Sequence, residues 1–80
     1  MKLSELPDDT NMLAHKLRLP DDVFKKMKAY AGAEREMYPA GPTHGAFFMS
    51  PDPLDAKSRR LYPLPEYMDP LLLLEWEVVQ

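Results

Sequence analysis

The residues best suited to acid–base or metal chemistry are the two histidines, and they stand far apart in the sequence. His15 lies in a stretch where apolar and polar residues alternate, and His44 lies between Thr43 and Gly45. A catalytic zinc motif places two histidines one helical turn apart with a glutamate between them, and neither histidine has such neighbours. A histidine in an alternating apolar stretch is typical of a packed side chain. We therefore expect no metal site.

The side chains that could act as nucleophiles or bind phosphate lack the patterns that those roles require. No serine is flanked by the glycines of a nucleophile elbow. The three glycines, at positions 32, 41 and 45, do not form a phosphate-binding loop. Asp52 and Asp55 stand in a turn-rich stretch that favours polar residues in any case. We therefore predict no catalytic residue and no cofactor, and we do not expect an enzyme.

The sequence offers contact residues instead, in a stretch interrupted by prolines. Aromatic, methionine and arginine side chains are enriched at protein interfaces, and prolines reduce the entropy lost when an extended segment docks. An arginine pair precedes the aromatic residues and could bind an acidic surface. The predicted partner-binding residues are Arg59, Arg60, Tyr62, Tyr67 and Met68.

The composition bounds the kind of protein that can carry these residues. The chain has 80 residues, nine prolines and no cysteine, which allows one small domain over residues 1–80 without a disulfide. Seven of the nine prolines follow residue 38, and we predict a proline-rich extended segment over residues 50–70 within that domain. The longest apolar run, residues 71–74, is too short to cross a membrane. The start lacks a signal-peptide pattern, so we expect a cytoplasmic protein.

One helix is predicted with a clear pattern. After Pro20, apolar residues recur at intervals of three and four up to Ala31, and two aspartates follow the proline where a helix begins. Gly32 weakens the last turns, and Tyr38 before a proline marks the limit of helical geometry. The pattern predicts a helix over about residues 20–36.

Three strands are expected to pack with this helix. Residues 13–19 alternate, although a helix from Pro7 to Leu17 also fits them. Residues 46–49 are short and apolar after a predicted loop over 39–45. Residues 72–79 read as a strand with both glutamates on one face, or as a helix capped by Asp69. We expect an α+β fold in which one main helix packs on a sheet of two or three strands.

The last predicted strand has a consequence for assembly. If residues 72–79 lie at the edge of the sheet, their unpaired backbone groups can pair with another chain. A homodimer, or the addition of a strand to a partner, is therefore possible by this reasoning. Trp76 on the inward face of that strand is expected in the core.

The segment over residues 15–31, HKLRLPDDVFKKMKAYA, resembles the opening of ribbon-helix-helix DNA-binding proteins. In that family a short strand reads the major groove and runs through a proline into the first helix. The resemblance implies that Lys16 and Arg18 would contact base edges or phosphates. The family has a second helix soon afterwards, whereas residues 38–48 here cannot form one.

These observations lead to two hypotheses about function. The first is a small acidic, non-catalytic protein that inhibits or adapts a larger protein partner. In size and composition it is similar to accessory and inhibitor proteins of bacteriophages. The alternative is a dimeric ribbon-helix-helix-like DNA-binding regulator or antitoxin that uses the strand before the helix. The net charge of −3 makes nucleic acid the less favoured partner, because such binding depends on neutralising phosphates.

Overall fold

A five-stranded antiparallel sheet dominates the computed structural model, which describes residues 1–51 and 60–79. The strands lie in the order β4-β3-β2-β1-β5. Their bounds are β1 (Leu17–Arg18), β2 (Glu36–Thr43), β3 (Ala46–Ser50), β4 (Tyr62–Pro63) and β5 (Glu77–Val78). One α-helix, α1 (Asp21–Ala31), accompanies them with three short 3₁₀ helices at Leu3–Glu5, Met12–Ala14 and Pro70–Glu75. The expected fold of one main helix on two or three strands is therefore wrong, because the described chain is largely sheet with little helix.

Helix α1 begins where the sequence predicts and ends about a turn earlier. Asp21 and Asp22 occupy its first turn, where carboxylates favour the positive end of the helix dipole. Gly32 adopts a left-handed conformation with φ of 70°, and its N–H donates to the Lys28 carbonyl. This cap stops the helix. The prediction of a helix as far as residue 36 is wrong, because the chain turns at Gly32 and enters β2.

The hairpin of β2 and β3 includes residues that were predicted as a loop. Alternate residues of β2, namely Met37, Pro39 and Gly41, are buried, which is the period of a strand. The register with β3 shifts between Pro39 and Gly41, and such irregularities accommodate proline in a sheet. The turn itself is only His44 and Gly45, both at positive φ. The strand predicted over residues 46–49 is confirmed and extends to Ser50.

The strands predicted over residues 13–19 and 72–79 are each replaced in part by a 3₁₀ helix, and this is a second correction. Asn11 accepts a hydrogen bond from the Leu13 N–H at 3.1 Å and begins Met12–Ala14. Asp69 accepts one from the Leu71 N–H at 2.9 Å and begins Pro70–Glu75. These side-chain caps stabilise a helical start against an extended chain. Only the short strands β1 and β5 remain.

In the described part of the chain, both outer strands of the sheet carry hydrogen bonds on their outer sides. On the outer side of β5, the Val78 N–H donates to the Met1 carbonyl at 2.7 Å and the Leu3 N–H donates to the Trp76 carbonyl at 3.1 Å. On β4, Pro63 has no N–H, and its carbonyl accepts a hydrogen bond from the Tyr30 hydroxyl at 3.0 Å. The prediction of an open edge at the last strand is therefore wrong. A homodimer stays a prediction, but strand pairing at the edge of β5 no longer supports it.

The core lies between one face of the sheet, α1 and the 3₁₀ helices. Leu17, Met37 and Met49 contribute from successive strands and are fully buried, together with Met27 of α1. Trp76 is 5% exposed, which confirms its expected place in the core. Within the described ranges, no helix has the length and apolar character needed to cross a membrane.

Candidate functional site

An apolar groove crosses one face of the molecule and is the strongest candidate for a site. Its volume is about 310 Å³, at the lower end of the range for ligand-binding pockets. Among the described residues, its lining contains no ionisable side chain. The lining residues are Leu3, Met12, Leu13, Pro39, Gly41, Pro42, Phe47, Pro70, Leu71, Leu73 and Leu74.

The two capped 3₁₀ helices form the walls of the apolar groove, and β2 and β3 contribute Pro39 and Phe47 to its lining. Leu71 is 69% exposed, Met12 49% and Leu13 46%, although all three are large apolar side chains. Side chains of this kind usually remain exposed together only where another molecule covers them. The apolar groove can therefore bind an apolar group by excluding water, and it offers no acid, base or metal ligand.

Two further cavities adjoin the apolar groove. The His44–Glu66 cavity has a volume of about 440 Å³ and shares Phe47 and Pro70 with the groove. The Asp8 cavity has a volume of about 240 Å³ and shares Leu3, Met12 and Leu74 with it. The two cavities share no lining residue with each other, so each joins the apolar groove through different residues.

Tyr67 and Met68, two of the predicted partner-binding residues, lie beside α1 rather than in the apolar groove. Tyr67 is 71% exposed, and the Lys26 Nζ lies 4.5 Å from the centroid of its ring. A hydrogen bond with Tyr67 raises the pKa of Lys26 above its ordinary value of 10.5. Burial, and to a lesser extent the charge of Tyr67, raises the pKa of Tyr30 above 10.0. Met68 is half-buried and packs against the core.

The arginine pair and Tyr62 are not brought to the same place. Arg59 lies outside the described residues, and Arg60 is exposed. The β3–β4 register pairs Met49 with Tyr62 and Phe48 with Pro63. Arg60 therefore lies beyond the end of β4 that is farther from Phe47. Tyr62 is half-buried against the core. The five residues therefore do not form one surface in the described part of the chain, and their role in binding stays a prediction.

Lys16 and Arg18, the residues of the DNA-binding alternative, lie in or beside β1. Strand β1 pairs with β2 on one side and β5 on the other, so it has no free edge for a second copy. The register places Arg18 opposite both Glu36 and Glu77, whose charges oppose its attraction for phosphate. No observation in the described chain favours this alternative, which stays a prediction.

A bound metal ion would need at least three histidine, aspartate or glutamate side chains close together. In residues 1–51 and 60–79, no three histidine, aspartate or glutamate side chains come together in this way. His15 is half-buried and His44 is exposed.

The apolar groove was missed by the sequence reasoning because its described lining residues come from five separate elements of the chain. One signal was present: Asp69 and Pro70 form a helix start directly before the four leucines. A 3₁₀ helix of four consecutive leucines cannot bury all of them against one core. Leu73 is buried, whereas Leu71 and Leu72 are exposed.

Comparison with known proteins adds no family assignment. No protein-family model, curated protein or solved structure matches the chain.

Proposed function

We propose that the chain is a small non-catalytic protein-binding module that inhibits or adapts a larger protein partner through the apolar groove. The observation that carries this proposal is the groove itself, in which Met12, Leu13 and Leu71 remain accessible around a cavity without ionisable groups. Its two walls are capped 3₁₀ helices, so the binding surface is largely formed before a partner arrives. Such preorganisation reduces the entropy lost on binding.

The mode of binding that fits this geometry is the insertion of apolar side chains from one segment of the partner. A groove between two short helices accepts anchors at helical spacing or from an extended peptide. Strand addition is not supported, because residues 1–3 cover β5 and the Tyr30 hydroxyl bonds to β4.

The test is a selection from a displayed library of random peptides on the wild-type chain, followed by affinity measurement with variants. Leu71→Asp places a carboxylate in the apolar groove, and we expect selected peptides to lose at least about tenfold in affinity. The matched control is Leu72→Asp on the same 3₁₀ helix, because Leu72 lines a separate cavity beside Tyr67. We expect the control to retain the affinity.

Both leucines are exposed, at 69% and 49%, so neither substitution should change the free energy of unfolding by more than about 0.5 kcal/mol. Thermal unfolding of each variant checks this directly. A selection that enriches no peptide, or peptides that bind the wild type and Leu71→Asp equally, would contradict the proposed site.

A further inference from the structure

The charges around the apolar groove narrow the chemistry of its partner, an inference that rests on the proposed function. The Asp8 cavity and the His44–Glu66 cavity adjoin the groove through different residues. The apolar groove is therefore the middle member of three connected cavities, which we call the row.

Each end of the row carries one carboxylate, and His44 also lines the end that contains Glu66. Asp8 lines one end cavity and Glu66 lines the other, and both residues are exposed. No lysine or arginine is among the described residues that line any of the three cavities. A segment lying along the row therefore meets apolar surface at its centre and a carboxylate on each side.

We propose that the groove binds a segment of another protein that carries apolar side chains at its centre and lysine or arginine on both sides. The apolar centre supplies affinity by removing surface from water. The flanking cations pair with Asp8 and Glu66, and these pairs give specificity and faster association more than affinity.

The same charges disfavour other occupants of the groove. A second copy of this chain that docks groove to groove brings like carboxylates together, and the net charge of −3 adds repulsion. Phosphate groups of nucleic acid or of anionic lipid meet the same carboxylates. A cationic, amphipathic peptide segment is the occupant that the row fits.

The test compares three pools of peptides of about twelve residues, roughly 18 Å long as helices. The pools share a central region randomised among apolar residues and differ only in their flanks, which are lysine, serine or glutamate. We expect the lysine-flanked pool to bind the wild type about fivefold more tightly than the serine-flanked pool at low salt. The glutamate-flanked pool should bind most weakly, and the differences should shrink as salt rises.

The double variant Asp8→Asn with Glu66→Gln should remove the preference for lysine flanks. The matched control is Asp9→Asn with Glu34→Gln, which removes two exposed carboxylates that line none of the three cavities and should keep the preference. If the lysine-flanked and serine-flanked pools bind equally and both lose affinity with Leu71→Asp, this inference is overturned. The proposed function is not contradicted by that result.

Two other outcomes overturn both proposals. If no pool loses affinity with Leu71→Asp, the groove is not the site. If light scattering shows a dimer without peptide that Leu71→Asp converts to monomer, a second copy occupies the groove.

Discussion

The ion pair of Arg35 with Asp21 joins the first turn of α1 to the segment that follows the helix. The Arg35 guanidinium also lies 5.3 Å from the centroid of the Phe24 ring. The backbone carbonyl of Arg35 accepts a hydrogen bond from the Leu19 N–H at 2.9 Å. Arg35 thus joins the start of α1, and Leu19 beside β1, to the segment between α1 and β2.

This ion pair predicts a pH dependence of stability. The hydrogen bond from Arg35, and then its charge, lowers the pKa of Asp21 below its ordinary value of 3.8. A carboxyl whose pKa is lower in the folded state stabilises the fold above pH 3.8, and it loses that contribution as the pH falls through the folded pKa. Asp21→Asn should therefore be less stable than the wild type at about pH 5, and this difference should be smaller at about pH 2.

Urea denaturation at the two pH values measures the difference. The Asp21 side chain is 79% exposed, so solvent screening keeps the effect small. Asp22→Asn leaves the Arg35 pair intact and is the matched control. A gap between the wild type and Asp21→Asn that persists unchanged at low pH would show that the charge is not its cause.

Among the elements, the end of α1 depends on one backbone conformation. Gly32 has φ of 70°, and an added Cβ there would have no atom within 4 Å, so a substitution acts through conformation and not through a clash. We expect Gly32→Ala to lower the free energy of unfolding by about 1 kcal/mol, and Gly32→Asn to lower it less. Chemical denaturation of the wild type and the two variants measures these losses in the free energy of unfolding. Equal losses for Gly32→Ala and Gly32→Asn would contradict the expectation.

The elements show where local sequence is sufficient to predict structure. The start of α1 was predictable because Pro20 and two aspartates are start signals that depend only on neighbouring residues. Its end was not predictable in the same way, because a glycine can either weaken the last turns of a helix or stop it. The left-handed conformation of Gly32 stops α1. The sequence around residues 70–75 fits both a strand and a helix. The placement of Glu75 and Glu77 on one face favours the strand, whereas the structure has the helix that Asp69 caps.

At the scale of the whole molecule, both outer strands of the described sheet have bonded backbone groups on their outer sides, and the exposed apolar surface includes one groove with large accessible side chains. The Met1 amine pairs with Glu77 at 2.9 Å, and Lys2 pairs with Glu75 at 3.3 Å, so charges as well as backbone bonds hold the first residues on β5. Exposed pairs of this kind contribute little to stability. They do occupy the edge that a partner strand would need.

The candidate site could be predicted from the sequence only in part. A protein-binding role was inferred from the residue types, but the residues chosen lay in the proline-rich segment. Of these, Tyr67 and Met68 lie beside α1, although Met68 also lines the His44–Glu66 cavity, and Arg60 lies beyond the Tyr62 end of β4. The apolar groove depends on contacts between segments that are distant in the sequence, and periodicity within one segment carries no information about such contacts.

A methyl NMR titration of the labelled chain with a peptide selected on the wild type tests the central claim most directly. Leu61 is the internal control, because it is 39% exposed and does not line the groove. We predict that the methyl signals of Met12, Leu13 and Leu71 shift on binding while that of Leu61 stays in place. Shifts at Leu61 or Leu72 with the three groove methyls unchanged would contradict the account.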